Sequence, residues 1–224
     1  MNRISARRGI AAVPIATLLG TLLAAPFAAQ THAARHARRA IGQIPRPPAI
    51  RIRLVDFAGL SPKVRAAAEA PVIRIFRQAG VEIAFVECLD AAASAPCRQP
   101  PGPTDLWLQI LNRAPHRLLG DDATGFTVLV HSPQAADSYA AISYPRVLAA
   151  ADDLDVDATE VLAASMAHEI GHLLLNSGAH SRTGVMSPRI DRRQIAFLQR
   201  GELLFTADQA ARLAAAIRPA VETR

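Results

Sequence analysis

The sequence predicts an α/β fold: one mixed, twisted sheet, a long apolar helix bearing polar residues, and a C-terminal helix. Residues 50–57, IRIRLVDF, alternate with the period of a half-buried strand. Ser61-Pro62 follows, a hydroxyl N-cap with proline in the first turn, which starts a helix and then a second strand. Further on, residues 164–175, ASMAHEIGHLLL, form an apolar run that holds two histidines and a glutamate.

The first helix runs from Ser61-Pro62 to Gln78 with Gly80 beyond it, and Pro71 is a point where it can kink. Val81 to Glu87 reads as the second strand, Leu106 to Leu111 as the third, and Phe126 to His131 as the fourth. Tyr139 to Tyr144 reads as a fifth. Asp157 is an N-cap, with Glu160 three residues on as in a capping box. Val161, Leu162, Met166, Ile170, Leu173 and Leu174 then give an apolar face at helical spacing, ending near Leu175 before Asn176-Ser177-Gly178. The final helix starts at Thr206, with Gln209 at N3, and runs through Leu213 and Ile217.

Composition narrows the function. The 224 residues suffice for one core, and 50% hydrophobic content excludes a disordered chain. The net charge of +6 invites a nucleic-acid reading, but Arg3, Arg7, Arg8, Arg35, Arg38 and Arg39 carry the whole excess. The rest of the chain is charge-balanced, so no nucleic-acid partner is expected. Arg3, Arg7 and Arg8 precede an uncharged Ala- and Leu-rich run, Ile10 to Ala29, and then the small-residue site Thr31-His32-Ala33. That is the layout of a secretory signal peptide, assigned to residues 1–33. Pro14, Pro26, Gly9 and Gly20 weaken the run as a membrane span, so no stable anchor is expected after cleavage. Residues 34–49 read as a Pro-rich linker, and residues 50–224 as the folded domain. Cys88 and Cys97 are the only cysteines, and in an exported, oxidising setting they are expected to pair. The location is then secreted or periplasmic.

The chemistry lies in His168-Glu169-Ile170-Gly171-His172. Imidazoles at i and i+4 of a helix share a face and can bind one metal ion together. Glu169 is turned about 100° from His168, beside the metal, where it can take a proton from water. This is the H-E-x-x-H pattern of zinc peptidases. A third ligand is needed, and His180 is the nearest histidine downstream.

The run HEIGHLLLNSGAHSRTGVMSP, residues 168–188, resembles the zinc-binding region of the metzincins, and most of all the matrixins, with their H-E-x-G-H-x-x-G-x-x-H-S pattern and Met-turn. The resemblance implies a zincin-like fold and a zinc-dependent endopeptidase acting on peptides or proteins, which the leader pattern makes an exported one. It implies His168, His172 and His180 as zinc ligands, Glu169 as general base, Ser181 after the third histidine, and Met186 with Pro188 in the Met-turn. The loop before His180 is two residues longer than in that pattern, so it is expected to bulge. No tyrosine follows Tyr144, so oxyanion stabilisation would rest on the zinc. The fourth strand would be the edge strand that pairs with an extended substrate.

Alternatives remain at this point. Glu202 is a rival third ligand, as in gluzincin-like hydrolases, and Asp191 a weaker one. A zinc-stabilised binding protein with a spent active site is the reading from another functional class. Asp152, Asp153, Asp155 and Asp157 form an acidic run that can suggest a Ca²⁺ site, although capping and the helix dipole explain it more simply. Arg182, Arg189, Arg192 and Arg193 surround the Met-turn as a solvated face that can favour acidic substrates.

Overall fold

The computed structural model describes residues 50–88, 95–115, 120, 123–130 and 138–217. The segments read from sequence as a leader (1–33) and a linker (34–49), and His131, lie outside the described residues. The strands are β1 (Ile50–Asp56), β2 (Ile83–Glu87), β3 (Asp105–Leu111), β4 (Gly125–Val128) and β5 (Tyr139–Ser143). The helices are α1 (Pro62–Gln78), α2 (Ala95–Arg98), α3 (Tyr144–Leu154), α4 (Ala158–Leu175), α5 (Arg192–Arg200) and α6 (Ala207–Ile217). The result is a mixed α/β fold on one five-stranded sheet of order β2-β1-β3-β5-β4. β2, β1, β3 and β5 run parallel, and β4 pairs antiparallel to β5 at the edge.

Register decides what each face of the sheet carries. Leu54 sits beside Leu108, Leu108 beside Ala140, and Ala140 beside Thr127. Ile110, Ile142 and Gly125 are aligned on the same face. The apolar members of this face join the core beneath α1 and α4. Fully burying an Ile or Leu such as Ile52, Leu108 or Ile142 stabilises the fold by roughly 1.5–3 kcal/mol each. Phe76 of α1 meets Phe205, just before α6, with ring centroids 5.1 Å apart.

The opposite face carries Arg51, Arg53, Asp105 and Trp107. Asp105 accepts hydrogen bonds from Arg51, Arg53 and the Gly102 N–H. Arg53, also buried, donates to the carbonyls of Gln99 and Pro100 and stacks over Trp107. This pins the segment that follows the disulfide onto the sheet. The expected Cys88–Cys97 bond is present, with Cα atoms 5.5 Å apart.

Several expectations are refined. Ser61 caps α1 by accepting from the Val64 N–H, and the helix continues through Pro71. Asp157 caps α4 through the Thr159 N–H, but the Glu160 carboxylate does not close a capping box; it accepts from Gln199 Nε2 at 3.0 Å. Reciprocal capping occurs instead at α6, where Thr206 and Gln209 exchange backbone-to-side-chain bonds. Tyr144 is not the end of a strand. It opens α3, with Pro145 in the first turn where its missing N–H costs nothing. α5 was not expected from the sequence, although Asp191 caps it and Gly201, at φ +76°, ends it.

Candidate metal centre

The central helix α4 is apolar on nearly every side because α1, α3, α5, α6 and the sheet enclose it. Its polar exceptions are therefore informative. Ser165, His168, Glu169 and His172 fall at i, i+3, i+4 and i+7, one stripe of the helix. That stripe faces β4 and a cleft of about 780 Å³.

Both helical histidines are held by backbone carbonyls. His168 Nδ1 lies 2.9 Å from the Val185 oxygen, and His172 Nδ1 lies 2.6 Å from the Ser177 oxygen. A carbonyl can only accept, so each Nδ1 carries the proton and each Nε2 presents a lone pair. The two Nε2 atoms stand 3.0 Å apart. His180 completes the cluster, its ring stacked on His168 at 5.2 Å between centroids and edge-on to His172 at 5.0 Å. The ligand atoms of the three all lie within 4.8 Å of one another. Two facing lone pairs at this distance repel, and a shared cation satisfies both, so the donor set fits a metal ion. All-imidazole donors suit zinc. Burial, with the neighbouring rings, pushes His168 down to about 4 even though the Val185 carbonyl favours its charged form. Burial likewise holds His172 below its ordinary value. Both are thus neutral near pH 7, the form that ligates.

The loop between His172 and His180 opens with a sharp turn. Asn176 leaves the helix in the left-handed region at φ 46°, a conformation Asn tolerates, and its N–H bonds back to His172 and Leu173. This turn aims the Ser177 carbonyl at His172 and returns the chain to His180, which remains exposed. The next turn is tied by the Ser181 N–H to the Met186 carbonyl and the Ser187 N–H to the Gly184 carbonyl. Gly184, at φ +80°, lies so close to the Leu204 carbonyl that a Cβ would collide with it. Met186 is fully buried and packs against Gly171, where an added Cβ would strike its Sδ. The glycine of the H-E-x-G-H run is therefore a packing requirement of Met186.

Glu169 is buried, and burial pushes its carboxyl up to about 7, against a lowering hydrogen bond from Thr127. Thr127 Oγ1 lies 2.6 Å from Oε2. The cleft is walled by β4, by Ser187 to Asp191, and by the α3 face bearing Arg146, Ala149, Ala150, Asp153 and Leu154.

The rival ligands are engaged otherwise, although Asp191 also lines the cleft. Glu202 is paired with Arg200 at 2.8 Å, and Asp191 caps α5 through the Gln194 N–H. Asp155 ends α3 and Asp157 caps α4, and among the described residues the acidic run forms no metal-binding group. Sequence reasoning missed Thr127 and Gly125, which only sheet register brings to Glu169, and the α3 wall, whose one local signal is Tyr144-Pro145 after Ser143.

No family model matches the chain, and no curated protein matches it. Solved structures similar to it include one described as the crystal structure of metalloproteinase-II from Bacteroides fragilis. The identity is 11% and the TM-score 0.45, over 76% of this chain and 54% of that one, so this chain spans about half of that chain's length.

Proposed function

We propose that the chain is an exported zinc-dependent endopeptidase of metzincin type. One observation carries the reading. Two Nε2 lone pairs, locked 3.0 Å apart by carbonyls on their Nδ1 atoms, meet a third imidazole in a cleft that also holds a buried glutamate. His168, His172 and His180 would hold the ion. Zinc bound there supplies Lewis acidity, polarising a carbonyl and acidifying water. Glu169, on the same helix stripe but outside the ligand set, takes a proton from the attacking water and returns it to the leaving amine. Met186 packs beneath the helix and is not a ligand.

The position of β4 supports an extended peptide as substrate. The Ser143 N–H bonds to the Thr124 carbonyl, so by antiparallel alternation Phe126 and Val128 also bond inward to β5. Gly125 and Thr127 then turn their N–H and C=O groups to the edge that no described strand pairs, where a substrate strand can add. The Cys88–Cys97 bond suits an oxidising compartment, and no helix among the described residues is long and apolar enough to cross a membrane. Export itself rests on the leader pattern of residues 1–33.

The test is metal analysis of the purified protein together with peptide-library cleavage, with and without a chelator. About one zinc per chain and chelator-sensitive cleavage are expected. Bound zinc with no cleavage of any peptide would favour the spent, zinc-stabilised binding module, and absence of both would sink the enzyme reading.

A further inference from the structure

We propose that Thr127 is the positioning residue for the Glu169 carboxylate, holding Oε2 so that Oε1 is the oxygen that exchanges the proton. The inference rests on the peptidase reading above and adds a residue that the H-E-x-x-H pattern does not contain.

Gly125 and Thr127 are aligned with Ile142 and Ala140, on the sheet face that looks toward α4. Thr127 Oγ1 stands 2.6 Å from Glu169 Oε2 and 3.2 Å from the Glu169 carbonyl oxygen. One hydroxyl thus touches both the backbone and the side chain of the same residue. Gly125 closes the other flank. A Cβ there would lie 2.9 Å from Glu169 Cγ, 3.0 Å from Oε1 and 2.9 Å from the Ala141 carbonyl, so only hydrogen fits.

The two carboxylate oxygens are therefore unequal. Oε2 is occupied by the Thr127 hydroxyl. Oε1 has no hydrogen-bond partner among the described residues, and it is not fully buried. No arginine or lysine is bonded to the Glu169 carboxylate among the described residues, so the Thr127 hydroxyl is the one hydrogen-bond donor they offer it, with Gly125 packed on the other flank. In the hydrolysis, an O–H bond of water breaks and the proton goes to Oε1; that O–H then breaks as the proton passes to the amine nitrogen. Because β4 is also the edge of the described sheet, where the substrate strand would add, substrate binding and base positioning would share one strand.

The experiment compares wild type with Thr127→Val, which keeps the shape and removes the hydroxyl, and Thr127→Ser, which keeps it. Crystal structures and steady-state kinetics are read for each, with Glu169→Ala as the reference. In Thr127→Val the carboxylate is expected to leave its position or to occupy a second rotamer, with zinc content and KM unchanged. Its kcat is expected to fall roughly 10- to 100-fold, the loss of one hydrogen bond to a charged group. Thr127→Ser should restore both position and most of kcat. A carboxylate that stays in place in Thr127→Val overturns the inference whatever kcat does, and so does a displaced carboxylate with kcat unchanged. If instead wild type cleaves nothing, or Glu169→Ala cleaves as well as wild type, the peptidase reading fails. The carboxylate position in the crystals then still decides whether Thr127 holds it.

Discussion

Two buried carboxylates, one on each side of the same sheet, are treated in opposite ways. Asp105, on the outer face, receives hydrogen bonds from Arg51, Arg53 and the Gly102 N–H. Burial pushes its carboxyl up, but the bonds from Arg51, Gly102 and Arg53 outweigh this and hold it below the usual range. Glu169, on the inner face, has a single hydroxyl donor, and there burial wins and raises it to about 7. A carboxylate with all its acceptors filled is a structural part. One left mostly unsatisfied in a cleft, beside three histidines, is available to exchange a proton.

The contrast can be broken most forcefully at Asp105. Asp105→Ala leaves the buried Arg53 charge without its carboxylate and should cost about 3–5 kcal/mol, read as a shift in chemical denaturation. A loss below 1 kcal/mol would show that the network is not structural. The acid limb of stability follows with a definite sign. Asp105 is lowered in the folded state relative to about 3.9 in the unfolded chain, so the unfolded chain takes up the proton first. Its contribution is present above that value and lost as pH falls through the lowered one. Asp105→Asn should therefore show a flatter decline below about pH 4 than wild type, measured by denaturation across pH.

A smaller effect is expected beneath the site. Gly171→Ala forces a Cβ into Met186 Sδ and toward Phe205, and overpacking of this kind should cost about 1–3 kcal/mol in thermal denaturation. The smallest effect belongs to Glu169→Gln. Its single donor, Thr127, can bond an amide oxygen as well, and a buried charge is removed. Stability in the metal-free protein should stay within about 0.5 kcal/mol or rise. A Glu169→Gln protein as unstable as Asp105→Ala would erase the distinction between the two carboxylates.

Much of the site was legible because its signals are local. The His168–His172 spacing, the Asp157 cap and the Asn176-Ser177-Gly178 exit are all set within a few residues of chain, and each stands where the spacing puts it. The β1 alternation likewise foretold which of its side chains would enter the core. Tyr144 was misread because YAAISY is apolar enough to extend a strand, while Pro145 had already made it a helix start. Glu160 obeyed the capping-box spacing, yet its carboxylate was drawn to Gln199, a tertiary partner. Thr127 could not be found at all from spacing. It lies 42 residues before Glu169, and only the antiparallel register of β4 on β5 turns it toward α4. Asp105 was hidden in the same way, since both of its arginines come from a neighbouring strand.

The central claim is that three histidines hold the metal and Glu169 acts beside it without holding it. Metal stoichiometry of the purified full chain, measured for wild type, Glu169→Gln, His180→Ala and Glu202→Ala, tests this most directly. About one zinc per chain is expected in wild type, Glu169→Gln and Glu202→Ala, a large loss in His180→Ala, and turnover in Glu169→Gln reduced about 100- to 10,000-fold. Zinc retained in His180→Ala and lost in Glu202→Ala, or lost in Glu169→Gln, would contradict it.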